Sequence, residues 1–266
     1  MVREKTDGRY RRKGSPERVP GREVLCRRMS SRFRELAYHR TPLGELTLRR
    51  RVDPGTGEEI HEVKLGDEFL MSSLFTVAEV ELARLALAGL PGASLDVAVG
   101  GLGLGYTAQT VLEDPRVSSL VVVDALGEVI DWHRQGLVPG GEALAADPRC
   151  RLVHGDLFAM LRSGRGFDPE LPGRTFDAIV VDIDHSPRHL LHPDNADFYA
   201  PEGVRRLAEL LRPDGIFALW SNDPPETEYA DTLATAFTDV RAEVVRFPNR
   251  LQGTDSTNTV YLARRP

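Results

Sequence analysis

The chain has 266 residues, 41% of them hydrophobic and 28% charged, enough for one large domain with an appendage or two small ones, with the composition of a soluble globular protein. No stretch approaches the ~18 uninterrupted apolar residues of a membrane span, and the charged first residues lack the apolar run of a secretory leader, so a cytoplasmic protein is expected. Cys26 and Cys150 are too few for a disulfide scaffold. The formal charge of −6 is uneven, because residues 1–34 hold 12 Lys and Arg against 4 Asp and Glu and leave the remainder strongly acidic. An acidic body repels phosphate, which argues against nucleic acid as a partner.

Residues 1–34 contain too few apolar side chains to bury and are expected to form a basic, disordered arm. Period-two alternation follows in Glu45–Arg49 and Ile60–Leu65, around the turn cluster Asp53–Gly57. This predicts a small antiparallel β domain over residues 35–75. Thr76 with Glu79 three residues on reads as the capping box of a connecting helix, 76–91, which stops at Gly89 and Pro91. In the domain expected over 92–266, the strand-like runs are Leu95–Val99, Ser119–Asp124, Cys150–His154, Phe176–Asp182 and Gly215–Ser221. They alternate with helical stretches near 104–113, 126–136, 198–211 and 226–237. The uninterrupted apolar run Ala178–Val181 is what a strand buried on both faces needs. The fold class is therefore α/β, a doubly wound Rossmann-like sheet with a small N-terminal antiparallel β domain. Val240–Phe247 and Asn258–Ala263 suit an antiparallel hairpin closing the sheet edge.

The first strand of this series runs into Gly100, Gly101, Gly103 and Gly105, with a helix starting at Tyr106. Glycines there let the backbone turn and approach a ligand at a helix N-terminus. Asp124 ends the second strand about 20 residues on, placed for the two hydroxyls of a ribose. Asp156 and Leu157 follow the third, placed for an adenine amine and for a backbone N–H to the base. The three sites fit an adenosyl ligand better than a dinucleotide, with NAD the alternative. Asp182 and Asp184 emerge at the cleft mouth, where a carboxylate can take a proton from an amine and fix its direction. The loop with His185, His189 and His192 reads as a lid and has no metal-ligand spacing. Asp182, Asn222 and Asp223 form a rival, magnesium-holding constellation. Trp132 and His133 read as packing and solvated surface.

The glycine-rich loop, Asp124, the string Asp147–Asp156 and Phe176–Asp182 together resemble the spermidine synthase (aminopropyltransferase) branch of the class I S-adenosylmethionine-dependent transferases, over about residues 40–263. The resemblance implies a methyltransferase-type sheet, S-adenosylmethionine or its decarboxylated form as co-substrate, a small amine as acceptor and no metal. It also assigns Asp182 as the base-like acid, Asp184 as the second acid, and Glu81 and Tyr199 to substrate. An exposed N-terminal sheet edge makes a homodimer reasonable. The sequence departs from that pattern in three places. The loop aspartate that holds the donor's amine is replaced by Gly103 or Leu104. Tyr-His-Glu becomes Glu79-Val80-Glu81, and Asp-Ser-Ser-Asp-Pro becomes Asp182-Ile183-Asp184-His185-Ser186-Pro187. A small-molecule methyltransferase and a catalytically silent adenosyl-binding protein are the alternatives.

Overall fold

The structure, a computed structural model, describes residues 33–266. The expected arm therefore lies outside the described residues except for Phe33 and Arg34, which already belong to the first strand. The alternating segments pair as a four-stranded antiparallel sheet in chain order, β1 (Phe33–Thr41), β2 (Gly44–Val52), β3 (Glu59–Leu65) and β4 (Glu68–Ser72). Opposition of Leu46 to Leu65 and of Leu48 to Val63 sets the register and puts these apolar side chains on one face. That face meets α1 (Val77–Ala88), whose buried Ala78, Leu82, Ala83, Ala86 and Leu87 recur at helical spacing. Leu46, Leu48 and Val63 share one core with these residues and with Val97 and Val99 of the larger sheet, so α1 is the joint between the two sheets.

The larger sheet has seven strands: β5 (Leu95–Gly100), β6 (Val117–Asp124), β7 (Cys150–His154), β8 (Phe176–Val181), β9 (Leu211–Ser221), β10 (Thr238–Asn249) and β11 (Thr254–Arg264). Their order is β10-β11-β9-β8-β5-β6-β7, with β5 to β9 mutually parallel and β11 antiparallel to both neighbours. The closing hairpin is present, with its second strand inserted against β9 and its first at the edge. The helices are α2 (Tyr106–Glu113), α3 (Gly127–Arg134), α4 (Gly141–Ala146), α5 (Leu157–Arg162), α6 (Ala196–Tyr199), α7 (Pro201–Glu209) and α8 (Thr227–Leu233). Alternate residues of each central strand feed two different cores, Ala178 and Val180 one, Ile179 and Val181 the other. Burial on both faces is why that strand is apolar without interruption. Strand order reverses between β5 and β8, the place where ligands bind at the carboxyl ends of such sheets. Among the described residues no helix is long and apolar enough to cross a membrane.

Candidate active site

The loop from β5 to α2 is shaped by backbone conformations that only glycine adopts without strain. Gly101 has φ +90°, and a Cβ there would collide with the carbonyl oxygen of Asp182. The neighbouring turn is held from two sides. The Leu104 N–H donates to Met71 Sδ at 2.9 Å, and His133 Nε2 lies 3.0 Å from the Gly103 carbonyl oxygen. A carbonyl only accepts, so Nε2 of His133 carries the proton; burial also lowers this imidazole's pKa and keeps it neutral. His133 is fully buried rather than solvated and packs against Gly103 and Gly105 of the glycine loop, while Trp132 is buried in the core. Met71 occupies the space where a side chain at position 103 would stand.

Asp124 closes β6 and accepts from the N–H groups of Leu102 and Leu126, each at 2.8 Å. Burial raises its pKa, opposed by those N–H bonds. Asp156 caps α5, its Oδ1 accepting from Phe158 N at 2.9 Å and Ala159 N at 3.1 Å, which leaves Oδ2 for a ligand. Gly101, Gly103, Asp124, Asp156 and Leu157 line one cavity of about 800 Å³. Gly100 and Gly105 stand behind its wall. The first packs under Leu157, and the second caps α2 at φ +89° against His133.

Asp182 reaches the same cavity from the end of β8, and Thr107 Oγ1 donates to its Oδ2 at 3.1 Å. Facing it is Glu79, in the first turn of α1. The capping box expected from Thr76 and Glu79 is absent, for the Thr76 side chain makes no capping bond and Glu79 is turned into the cavity instead. Burial, then the nearby Asp182 charge, pushes the Glu79 carboxyl up to about 8, and burial pushes Asp182 up to about 6. Two acids so placed titrate as a pair and hold one proton between them near neutral pH. Glu81, by contrast, points away from the cavity and pairs with Arg84 at 3.1 Å, one helical turn along an exposed face. The acid that the helix brings to the cavity is therefore Glu79.

Asp184 and Tyr199 are brought together, but behind the wall. Asp184 is buried and accepts from Leu191 N at 2.7 Å, Asn195 Nδ2 at 2.9 Å and the Tyr199 hydroxyl at 2.9 Å. This knot ties the ends of the loop after β8, which sends Ile183, His185, Leu191 and Asp194 to the cavity wall. A second tie lies outside, where Ser186 Oγ donates to Asp223 Oδ2 at 2.6 Å and His189 Nδ1 sits 2.9 Å from the same oxygen. Asp223 is thereby drawn away from Asp182, and among the described residues no three His, Cys, Asp or Glu side chains are arranged to hold a metal.

Part of the remaining wall comes from the small sheet and the segment after it, among them Leu65, Phe69, Leu70 and Phe75, and part from the region of β9, β10 and β11, where of these residues the sequence singles out Asn222. Trp220 lies near the end of β9 and Asn222 just past it, Phe247 and Asn249 lie at the end of β10, and Asn258 lies on β11. Asn258 Nδ2 donates to Asn222 Oδ1 at 3.0 Å, which joins the last strand to the site.

This arrangement can hold an adenosine across three strand ends and present its 5′ substituent to a pair of acids. Residues 83–247 match the family model described as "Spermine/spermidine synthase domain". The chain is 30% identical over 166 residues to polyamine aminopropyltransferase 2 of Pseudomonas aeruginosa, covering 59% of this chain and 43% of that protein. It is 27% identical over 228 residues to a polyamine aminopropyltransferase of Synechococcus sp., covering 81% and 67%. The first of these matches thus spans less than half of the relative's length. The spermidine synthase of Thermotoga maritima superposes with a TM-score of 0.67 at 18% identity, covering 88% of this chain and 73% of that one. A spermidine synthase solved with the transition state analogue AdoDATO gives 0.66 at 17% identity, with the same coverage. With the model matched from α1 to the end of β10 and the same sheet in its structural neighbours, this chain belongs to the spermine/spermidine synthase family.

Proposed function

We propose that the protein transfers an aminopropyl group from decarboxylated S-adenosylmethionine to a small amine, releasing methylthioadenosine. One observation carries this reading. The cavity wall presents five carboxyl side chains, Glu79, Asp124, Asp156, Asp182 and Asp194, and no lysine or arginine among the described residues. Such a wall favours a donor whose tail is an ammonium and disfavours one that keeps its carboxylate, because a buried carboxylate without a cation is costly. The methyl donor keeps that carboxylate, so methyl transfer fits the wall less well.

In this reading Asp124 accepts from the ribose hydroxyls, Asp156 Oδ2 accepts from the adenine amine, and Gly101 lets the thioether approach the loop. With Met71 in the space beside Gly103, Glu79 is the carboxylate left for the donor's ammonium. The acceptor nitrogen attacks the propyl carbon bonded to the sulfonium. A C–N bond forms, the C–S bond breaks with its electron pair going to sulfur, and the amine's proton passes to Asp182. Thr107 holds Asp182 in place for this transfer. Asp184 and Tyr199 act one layer out and, with Asn195 of the wall, hold the loop that carries Asp194 over the cavity. The exposed Phe33 and Tyr38 of edge strand β1 support self-association. The test is release of methylthioadenosine from the decarboxylated donor with a panel of small amines, against the same panel with S-adenosylmethionine. Release of S-adenosylhomocysteine from the second donor, with no methylthioadenosine from the first, would replace this reading with methyl transfer; binding without either product would make the protein a silent member.

A further inference from the structure

Strand order turns the cavity into a one-dimensional sequence of chemistry. Along β7, β6, β5 and β8 the ends present Asp156, Asp124, the glycine loop and Asp182. Beyond β8 the groups are Asn222 just past β9, Asn258 on β11, Asn249 on β10 and Gln252 in the hairpin turn. The row of carboxylates gives way to a row of amides.

We propose that the acceptor carries a single cationic centre, its reacting amine, joined to a neutral oxygen- or amide-bearing tail, as in an amino alcohol or a mono-N-acylated diamine, and that α,ω-diamines are poor acceptors. This rests on the aminopropyl-transfer reading above. The Glu79 and Asp182 pair is taken up by the donor's ammonium and the attacking amine. A second ammonium would lie along the amide row, where no carboxylate lines the wall; Asp194, the fifth carboxyl of the cavity, sits on the other side, its backbone carbonyl held by Arg162 of α5 at 2.9 Å. Of the acids nearest that side, Asp223 is paired with Ser186 and His189, Glu226 with Arg188 at 2.8 Å and Glu68 with His185 at 3.7 Å, while Asp255 of β11 is exposed and does not line the cavity. The Asn222–Asn258 pair spends one donor and one acceptor on each other. Asn222 Nδ2 and Asn258 Oδ1 remain, a donor beside an acceptor, which matches a hydroxyl or an amide and gives an ammonium only half of what it needs. Trp220, on the same wall, adds an indole N–H that is buried without a partner among the described residues; it is a donor, and a cation cannot satisfy it. Placing a second ammonium against the buried Asn258 and the Trp220 indole N–H costs it water without an opposite charge in return.

The experiment fixes the donor as decarboxylated S-adenosylmethionine and compares kcat/KM for 4-amino-1-butanol, N-acetyl-1,4-diaminobutane and 1,4-diaminobutane. These share chain length and differ in the far group. The expected result is at least a tenfold preference for the two monocations, and in Gln252→Glu, which adds a carboxylate at an exposed turn, a shift of at least fivefold toward the diamine. A wild-type preference for the diamine, with methylthioadenosine released, overturns this inference and leaves aminopropyl transfer standing. Absence of methylthioadenosine with every amine overturns both.

Discussion

The two flanks of the cavity are built by different means. On the β5–β6–β7 flank each group that would touch the donor sits within a few residues of a glycine or a helix cap. Asp124 is fixed by two N–H groups and Asp156 by the start of α5. On the β9–β11–β10 flank the wall is assembled from residues as far apart as Asn222 and Asn258, which meet only because the last strand inserts against β9. The first flank is a property of local backbone geometry and the second of tertiary pairing. Donor recognition can therefore stay fixed while the acceptor side changes, with Asp182 at the seam.

The seam gives the largest expected effect. Asp182→Asn keeps the shape but cannot take a proton, so turnover should fall roughly 10²–10⁴-fold with methylthioadenosine affinity little changed; full turnover would remove Asp182 from the chemistry. On the donor flank, Gly101→Val forces a branched side chain into φ +90° against the Asp182 carbonyl. It should cost about 3 kcal/mol in denaturant unfolding and abolish nucleoside binding. Asp124→Ala should weaken methylthioadenosine binding by about 1–3 kcal/mol in calorimetry, the strength of a charge-assisted contact. An unchanged affinity in the folded variant would break the local account of this flank. One layer behind the wall, Tyr199→Phe removes one donor from the buried Asp184 and should cost about 1–2 kcal/mol of stability, with a smaller loss of turnover than Asp182→Asn.

A separate effect, on stability alone, is a pH dependence. Glu79 has a folded-state pKa raised to about 8, above the ordinary glutamate range. The folded protein therefore holds this proton more tightly than the unfolded chain, and stability falls as pH rises from the ordinary range through about 8. Glu79→Gln removes that fall, so its unfolding free energy should gain on wild type between pH 5 and pH 9. A difference that stays constant across this range would show that Glu79 is not held beside Asp182.

The contrast between the flanks also explains what was legible in the sequence. Gly101, Asp124, Asp156 and Asp182 are found by spacing because each sits at the end of an apolar run, and strand ends gather at one edge of a parallel sheet. Glu79 reads as a capping residue in the sequence because a capping box and a cavity-facing first turn place an acid at the same offset from Thr76. Glu81 was chosen by alignment to a motif, while helical rotation put it on the solvent face beside Arg84. His133 looked like surface because a lone histidine beside tryptophan has no periodic signature; its role depends on Gly103, 30 residues away. The amide row left no local signal, since no motif joins Asn222 to Asn258.

The central claim is that this cavity selects a donor without a carboxylate. Titration of the protein with decarboxylated S-adenosylmethionine and with S-adenosylmethionine, by calorimetry in one low-salt buffer at neutral pH, tests it most directly. The account predicts at least tenfold tighter binding of the decarboxylated form, with the difference reduced in Glu79→Gln. Equal affinity, or tighter binding of the carboxylated form, would contradict it.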